Sequence, residues 1–395
     1  MTGNIASGAA SRFSLVVGGP FHSLLGRLRL TGADLLPTWR AALLLAGLAW
    51  LAPAVAVVAQ SLSDAGYAGW PYFTDLTVST SYVVAIVVMV VTERYADGRL
   101  AILAEHFDKA QLLGPDAVVG FRRALATADR RSSSVVAEAI ILLLALAWSA
   151  AAAQLIVDLS GSSWEGRVMD GHAVLSWAGL TAACISTPLF LFLVLRWIWR
   201  FAVWTVLLFR VSRLPLQLAP LHPDRCAGLG FLSIYPSIFS GFIFALSCVI
   251  AAAMIEDIRL VHPNAEMVWW GVAFWLGFCG MLLLGPILVF VPPLYCLREQ
   301  ALIDYGRLAS QHHLAFHRKW TDPSMRGDAL LGSADTSSAS DLNATIEAVQ
   351  QIRVVPVDWP AVQQLTVAAG APMLAVVATQ IPLAEMGNWV LSKLL

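Results

Sequence analysis

The stretch AVLSWAGLTAACISTPLFLFLVLRWIWRFAVWTVLLFRVS, residues 173–212, decides the fold class. Its first 23 residues carry no charge, and about 20 apolar residues are enough for a helix to cross the hydrocarbon core of a bilayer. Only Pro188 interrupts the run, so we expect a helix of about 60 Å against about 30 Å of hydrocarbon. The stretch predicts a membrane-spanning helix that continues beyond the bilayer.

The composition of the whole chain is typical of a membrane protein. Of its 395 residues, 58% are hydrophobic and only 13% are charged, whereas about a quarter of the residues in soluble domains are charged. The net charge of −1 gives no overall field that would attract nucleic acid. The five cysteines form no CxxC pair, so neither a disulfide framework nor a zinc site is expected.

Six apolar runs are long enough to span a membrane, and a seventh is weaker. The six runs are residues 41–60, 76–92, 135–157, 173–195, 231–255 and 268–292, and the seventh is residues 362–383. Pro372 and Pro382 interrupt the seventh run. We therefore expect an all-α polytopic membrane protein with about seven transmembrane helices.

The positions of the basic residues orient these helices, because lysine and arginine are concentrated in cytoplasmic segments. With the N-terminus inside, all but three of the 25 basic residues fall in segments predicted to be cytoplasmic. The exceptions are Arg167, Arg259 and Lys393. We therefore expect the N-terminus inside and, with seven spans, the C-terminus outside.

The long helices are expected to extend into a cytoplasmic helical platform. Residues 1–40 are predicted to be a cytoplasmic amphipathic segment, residues 41–383 the transmembrane domain, and residues 384–395 a short C-terminal helix. The cytoplasmic extensions are residues 93–134, 196–230 and 294–361.

Local signals add detail to this platform. In RWIWRFAVW, residues 196–204, tryptophan and arginine are expected to mark the inner headgroup region. Pro292 and Pro293 are expected to kink the sixth helix. Residues 331–353 are expected to form a serine-rich loop that leads into a short helix.

The segment LHPDRCAGLG, residues 221–230, has three interpretations. In the first it is a structural connection before the fifth span, where Asp224 caps the next helix and Gly228 and Gly230 permit tight backbone approach. In the second it binds phosphate, but it lacks the lysine and the preceding strand of a P-loop. In the third, His222 and Arg225 belong to a cytoplasmic gate, in which Arg225 pairs with Asp224 or a lipid headgroup.

Several stretches resemble a family of bacterial integral membrane proteins. They are HPDRCAGLGFL (residues 222–232), GRLAS and FHRKW (within residues 306–320), LLGSADTSSASDLNATIEAVQQIRVVPVD (residues 330–358) and APMLAVVATQIPLAEM (residues 371–386). The resemblance covers the chain from about residue 21 to the end, with departures at residues 226–227 and 335–341. It implies a location in the bacterial inner membrane and transfers no catalytic residue.

Other candidate sites are weaker. His313 and His317 have the spacing of two ligands on one helix face, with His312 beside them, but solvated histidines explain the pattern as well. The centres of the six clear spans contain no ionisable residue, which argues against a pump or symporter. No intramembrane protease set is present either. No cofactor or metal is expected.

Three functions remain open: an oligomeric channel or ligand-gated pore, a non-conducting scaffold or sensor that recruits a cytoplasmic partner, and a lipid-modifying enzyme. The seven-span layout is similar to that of insect odorant and gustatory receptors, by analogy only. Expected partners are the lipid bilayer, further copies of the chain, for example in a tetramer, and either a small-molecule ligand or a cytoplasmic protein.

The channel hypothesis names a pore-lining face on the seventh span. The candidate residues are Thr366, Gly370, Met373, Val377 and Gln380, which share one helical face. Small residues favour close helix contact, and an apolar middle at Met373 and Val377 could gate a pore by dewetting. The alternative is that this face packs on the fifth and sixth spans within one protomer.

Overall fold

A computed structural model describes residues 13–15, 18–30, 35–64, 66–160, 163–169, 172–321 and 334–380. Within these residues the chain forms ten helical segments of nine residues or more and one β-hairpin. The helices are α1 (Gly19–Arg27), α2 (Leu35–Ser63), α3 (Leu76–Lys109), α4 (Pro115–Ser132), α5 (Val135–Ser160), α6 (Trp177–Ser212), α7 (Gly230–Val261), α8 (Ala265–Thr321), α9 (Ala334–Gln350) and α10 (Trp359–Gln380). The strands are β1 (Gly166–Met169) and β2 (His172–Leu175), which pair antiparallel.

Seven of these helices are long and apolar enough to cross a membrane: α2, α3, α5, α6, α7, α8 and α10. The prediction of a mainly helical, multi-pass membrane protein is confirmed at this level, including the weaker seventh helix. We call the end of the bundle that carries α4 and α9 the inner side and the end that carries the hairpin the outer side. These names follow the predicted orientation.

The start of the fourth span differs from the prediction. Residues 173–175 belong to strand β2, and α6 begins only at Trp177, where the Ser176 hydroxyl accepts a hydrogen bond from the N–H of Gly179. The apolar run alone could not show that residues 173–175 form a strand and not a helix, because a short apolar segment fits either. The hairpin was not predicted.

The extension of α6 beyond the bilayer length is confirmed, but its middle is irregular. A π-helical turn at Ala182–Ser186 comes just before Pro188, whose ring removes a backbone donor. α3 has its own π-helical turn at Thr80–Ala85. The hydroxyls of Tyr82 and Thr187 join the two helices at this level, 2.8 Å apart.

The sixth spanning helix is irregular just before the predicted prolines. A 3-10 turn at Gly285–Phe290 interrupts α8, and the helix resumes as Val291–Thr321, which we call the arm. Pro292 and Pro293 lie in the first turn of the arm, where proline removes no intrahelical hydrogen bond. The irregular turn therefore precedes Pro292 and Pro293, where we had expected a kink.

The predicted serine-rich loop is also partly wrong, because residues 334–350 form α9. α9 lies against the arm, and Val349 and Ile352 pack with Ala301 of the arm. Packing and polar contacts with the arm stabilise a helix in this sequence, although serine and aspartate favour it only weakly.

The core of the bundle includes two tryptophans from the stretch that we expected to mark the headgroup region. Trp197 of α6 packs on Phe239 and Phe242 of α7, and Trp204 stacks with Tyr235. Both side chains are therefore packing residues on the inward face of α6 and do not face lipid, because positions seven apart share one side of a helix. Residues 1–12 and the predicted C-terminal helix, residues 384–395, lie outside the described residues, as do residues 381–383 of the predicted seventh span.

Candidate functional site

The inner loop, residues 222–230, connects α6 to α7 on the inner side of the bundle. The Asp224 carboxylate accepts hydrogen bonds from the backbone N–H groups of Cys226 (2.8 Å), Gly228 (3.2 Å) and Gly230 (2.8 Å). Gly230 is the first residue of α7, so these contacts are of the predicted capping kind and also hold the loop before the helix. Burial alone would raise the pKa of Asp224, but the three N–H donors outweigh it and lower this pKa below its ordinary value.

The backbone of the inner loop is left-handed at three positions, with φ of 56° at Arg225, 55° at Ala227 and 95° at Gly228. Residues other than glycine adopt this region at a cost of about 1–3 kcal/mol. A Cβ on Gly228 would lie 2.9 Å from the Leu112 side chain, and one on Gly230 would lie 2.9 Å from Asp224. Both glycines are therefore required by close approach, as the structural interpretation predicts.

Arg353 attaches the inner loop to the start of the last helix. Its backbone N–H donates to the Arg225 carbonyl at 2.7 Å, and its guanidinium donates to the Asp224 carbonyl at 3.2 Å. The guanidinium also forms an ion pair with Asp358, whose carbonyl accepts from Ala361 in the first turn of α10. We call these contacts the Arg353 clamp.

The hydrogen bond between Arg353 and Asp358 raises the pKa of Arg353 and lowers that of Asp358. The clamp therefore remains charged over the ordinary pH range.

The predicted pairing of Arg225 with Asp224 is wrong. The ion-pair partner of Asp224 among the described residues is His222, with 2.9 Å between Nδ1 and Oδ1, whereas the Arg225 side chain is exposed. Arg353 takes the place that the gate interpretation gave to Arg225. The sequence alone could not predict the role of Arg353, because the loop that it contacts is 129 positions earlier in the chain.

A cavity of about 280 Å³ opens beside the inner loop. His106, Gln217, His222, Asp224 and Phe231 are among its lining residues. The backbone donors of the loop already bind the Asp224 carboxylate, so they are not free to hold a phosphate group. This geometry opposes the phosphate-binding interpretation.

A second cluster, which no local sequence pattern indicated, is buried on the inner side of the apolar parts of three spanning helices. The inner charge network consists of Glu93 on α3, Glu138 on α5, and Arg196 and Arg200 on α6. Glu93 Oε1 lies 3.0 Å from Arg196 Nη1 and 2.7 Å from Arg200 Nη2, and Glu138 Oε1 lies 3.3 Å from Arg196 Nε. Arg196 is 3% exposed and Arg200 is 4% exposed.

The inner charge network also holds the N-terminal segment against the bundle. The backbone N–H of Phe21 donates to Glu138 at 2.9 Å, and the Arg196 guanidinium lies 4.7 Å from the centre of the Phe21 ring. Two acids and two bases offset one another, so the network fixes the positions of α1, α3, α5 and α6. Its four residues lie just outside or at the margin of the predicted spans, so the expected absence of ionisable residues from the span centres did not concern them.

The five predicted pore-lining residues do not share one exposed face of α10. Met373 is 1% exposed and packs with Val376, Ala251 and Val268 inside the protomer. Thr366 is exposed, whereas Gly370, Val377 and Gln380 are half-buried. The exposed face is rotated away from Met373 and includes Val367 (65% exposed) and Leu374 (68% exposed).

The histidines near the end of the arm bind α9. His312 Nε2 lies 2.9 Å from the Ser338 hydroxyl, and His313 Nε2 lies 3.0 Å from the side-chain oxygen of Asn343. No group of three or more histidine, cysteine or acidic residues in the described ranges could hold a metal ion. These contacts favour the interpretation of His312 and His313 as polar contacts within the platform.

Comparison of the chain with family models, curated proteins and solved structures finds no match.

Proposed function

We propose that the protein is an oligomeric membrane channel in which copies of α10 line the pore. The observation that carries this proposal is the low hydropathy of α10. It has a mean hydropathy of 1.5, the lowest of the seven candidate spans, whose other values lie between 1.8 and 2.4. One side of α10 packs on α7 and α8, and the other side carries small and polar residues together with Val367 and Leu374.

The exposed face of α5 suits contact with lipid, whereas the exposed face of α10 also suits contact with another helix. α5 has a mean hydropathy of 2.2 and exposes large residues such as Leu143 (65% exposed) and Trp148. The exposed positions of α10 include Gln363, Ala371 and Ala378. Small residues let helices approach closely, so contact among copies of α10 suits this face better than contact among copies of α5.

The position of the proposed pore face follows from exposure in a single protomer. Gln363, Val367, Ala371, Leu374 and Ala378 recur every three to four residues and share one helical face. We assign this face to the pore in place of the one centred on Met373 and Val377. Val367 and Leu374 would form an apolar constriction of the kind that gates by dewetting.

The Arg353 clamp gives the proposed pore a means of control. It joins the inner loop and its cavity to the first turn of α10, so a ligand that displaces Asp224 or His222 would act directly on the pore helix. A ligand that binds the open or the closed form of such a clamp more tightly would shift the protein toward that form.

Single-channel recording in planar bilayers tests the proposal. Leu374→Ser should raise the open probability severalfold, because a hydroxyl wets the constriction, whereas Leu143→Ser on the equally exposed face of α5 should leave the currents unchanged. A monomer in detergent that gives silent bilayers for the wild type and for Leu374→Ser would contradict the channel.

The proposal places the N-terminus and the platform in the cytoplasm, and the resemblance noted above favours the bacterial inner membrane. Reporter fusions should then place Ser132 and Ser337 inside and Ser163 outside. A reporter at Ser132 that is active only outside would reverse this orientation.

A second candidate, a scaffold that recruits a cytoplasmic partner, is favoured by the arm. The arm leaves Ile303, Leu308 and Leu314 exposed, although it lies beyond the apolar part of α8. If the bilayers are silent and Ile303→Asp abolishes capture of a soluble protein without changing the folded yield, the scaffold takes precedence.

A further inference from the structure

Three acidic side chains meet at the outer side of the bundle, and we call them the outer carboxylate cluster. Asp75 precedes α3, Glu165 lies in the turn before β1, and Glu256 is near the outer end of α7. Glu256 accepts a hydrogen bond from the N–H of Leu76, the residue after Asp75, and Trp164, the residue before Glu165, donates to Asp75. Elements far apart in sequence therefore place three negative charges together.

The cluster is also where these elements are joined. Glu256 accepts from the backbone N–H groups of Leu76 (2.7 Å) and Thr77 (3.2 Å) and from the Thr77 hydroxyl (2.6 Å). Asp75 accepts from the Val78 N–H at 2.8 Å and from the Trp164 indole N–H at 3.1 Å. The start of α3, the end of α7 and the turn before the hairpin are thus held through carboxylate oxygens.

No basic side chain neutralises the cluster, as far as the described residues show. The outer ion pair in that part of the chain joins Arg167 to Asp64, at 3.3 Å, and Arg259 is exposed. Burial, followed by the charge of Glu256, raises the pKa of Asp75 to about 6, and burial followed by the charge of Asp75 raises that of Glu165 to about 7. Both groups therefore titrate near neutrality, well above an ordinary carboxyl.

The groups that face the cluster come from every element packed around it. They are Tyr67 from the segment after α2, Tyr72 and Asp75 before α3, Tyr82 on α3, Trp164 and Glu165 before β1, and Glu256 on α7, with Asp257 and Arg259 on the exposed side of the same helix end. Tyrosines are neutral at these pH values, so the charge of the cluster is set by its carboxyls.

We propose that the outer carboxylate cluster is a proton-binding clasp: in weakly acidic medium a shared proton holds α3, α7 and the hairpin turn together, and loss of that proton loosens this joint. A proton between Asp75 and Glu256 converts repulsion between two carboxylates into a hydrogen bond. Because Ile255, beside Glu256, packs against the apolar cluster that includes Met373 and Val376 of α10, the clasp would also act on the proposed pore helix. The clasp itself does not depend on conduction.

The sign of the pH effect follows from linkage. A carboxyl whose pKa is raised by folding stabilises the fold fully below its unfolded pKa, near 4, and that contribution is lost as the pH rises through the folded pKa. The window of loss is therefore about pH 4 to 7. The protein should unfold at a lower temperature at pH 8 than at pH 5.

The test uses the full-length protein in detergent, so that a failure of the channel proposal does not affect it. The thermal midpoint is measured from pH 5 to 8.5 for the wild type, for Asp75→Asn and for Glu165→Gln. In the wild type the thermal midpoint should fall as the pH rises, and in each of the two variants this fall should be at most half as large. The control is Asp64→Asn, because Asp64 is an acidic residue of the same side that is paired with Arg167. This variant should show the same fall in thermal midpoint as the wild type.

Infrared difference spectroscopy gives a second readout that a merely structural role would not change. A protonated carboxyl band should be present in the wild type at pH 5, lose its intensity between about pH 5 and 8, and be weaker in Asp75→Asn and Glu165→Gln. An unchanged pH profile in both variants, or a wild-type band that does not titrate in this range, would overturn the proposal.

Discussion

The two ends of the apolar part of α3, residues 76–92, lie beside charged groups that are compensated in opposite ways. At its inner end, Glu93 lies between Arg196 and Arg200, with Glu138 completing a balanced set of two acids and two bases. At its outer end, Asp75 meets Glu165 and Glu256 with no basic partner in the described part of the chain. Opposite charges fix helices over a wide pH range, whereas like charges make a joint whose strength depends on protons.

The largest expected effect comes from breaking the balance at the inner end. Arg196→Leu would leave Glu93 with one partner and Glu138 with none from α6. Removing one member of a buried ion pair costs about 3–5 kcal/mol, because the remaining charge stays buried without compensation. Thermal unfolding in detergent should show this loss, while Arg210→Leu, an exposed site on the same helix, should change the midpoint little. Equal midpoints for the two variants would mean that the network contributes nothing to folding.

The second prediction concerns the inner loop, where backbone N–H groups rather than basic side chains stabilise the carboxylate of Asp224. Gly228→Val should destabilise the fold by about 1–3 kcal/mol, because a β-branched side chain disfavours φ of 95° and would contact Leu112. Folded yield and thermal midpoint measure the loss. Gly306→Ala is the control, since nothing lies within 4 Å of its added Cβ. A normal yield for Gly228→Val with lost activity would instead favour a functional role for the loop.

The third prediction is smaller and has a pH signature opposite to that of the outer carboxylate cluster. Asp224→Ala should cost about 1 kcal/mol through three lost backbone hydrogen bonds at a partly exposed site. Because folding lowers the pKa of Asp224, its contribution is present above the ordinary aspartate pKa of about 3.9 and is lost as the pH falls through the folded value. The wild type and Asp224→Ala should therefore converge in stability as the pH falls below the ordinary aspartate pKa of about 3.9, and a difference that grows on acidification would contradict the assigned contacts.

The sequence was a good guide to the spans and a poor one to the contacts between them. Length and hydropathy were sufficient for all seven long helices, and the Asp224 contacts followed from the preference of aspartate for free N–H groups. The inner charge network was missed because each of its two acids is more than 50 positions from the arginines that it pairs with. Arg196 and Arg200, four apart at one span end, with Glu93 beside another on the same side, were the available signal. Strand β2 was missed because its apolar residues continue directly into α6.

The smallest expected effect sharpens the comparison between the two ends of α3. Arg167 is the basic residue of the outer side that forms an ion pair in the described structure, and its pair with Asp64 is partly exposed. Such pairs contribute about 0–1 kcal/mol and are screened by salt. Arg167→Gln should therefore lower the thermal midpoint only slightly, and raising the salt concentration should remove the difference. Its pH profile should keep the wild-type shape, because the outer carboxylate cluster is uncompensated with or without this arginine. If Arg167→Gln instead steepened the fall above pH 6, Arg167 would be neutralising the cluster, and the outer end of α3 would resemble the inner one.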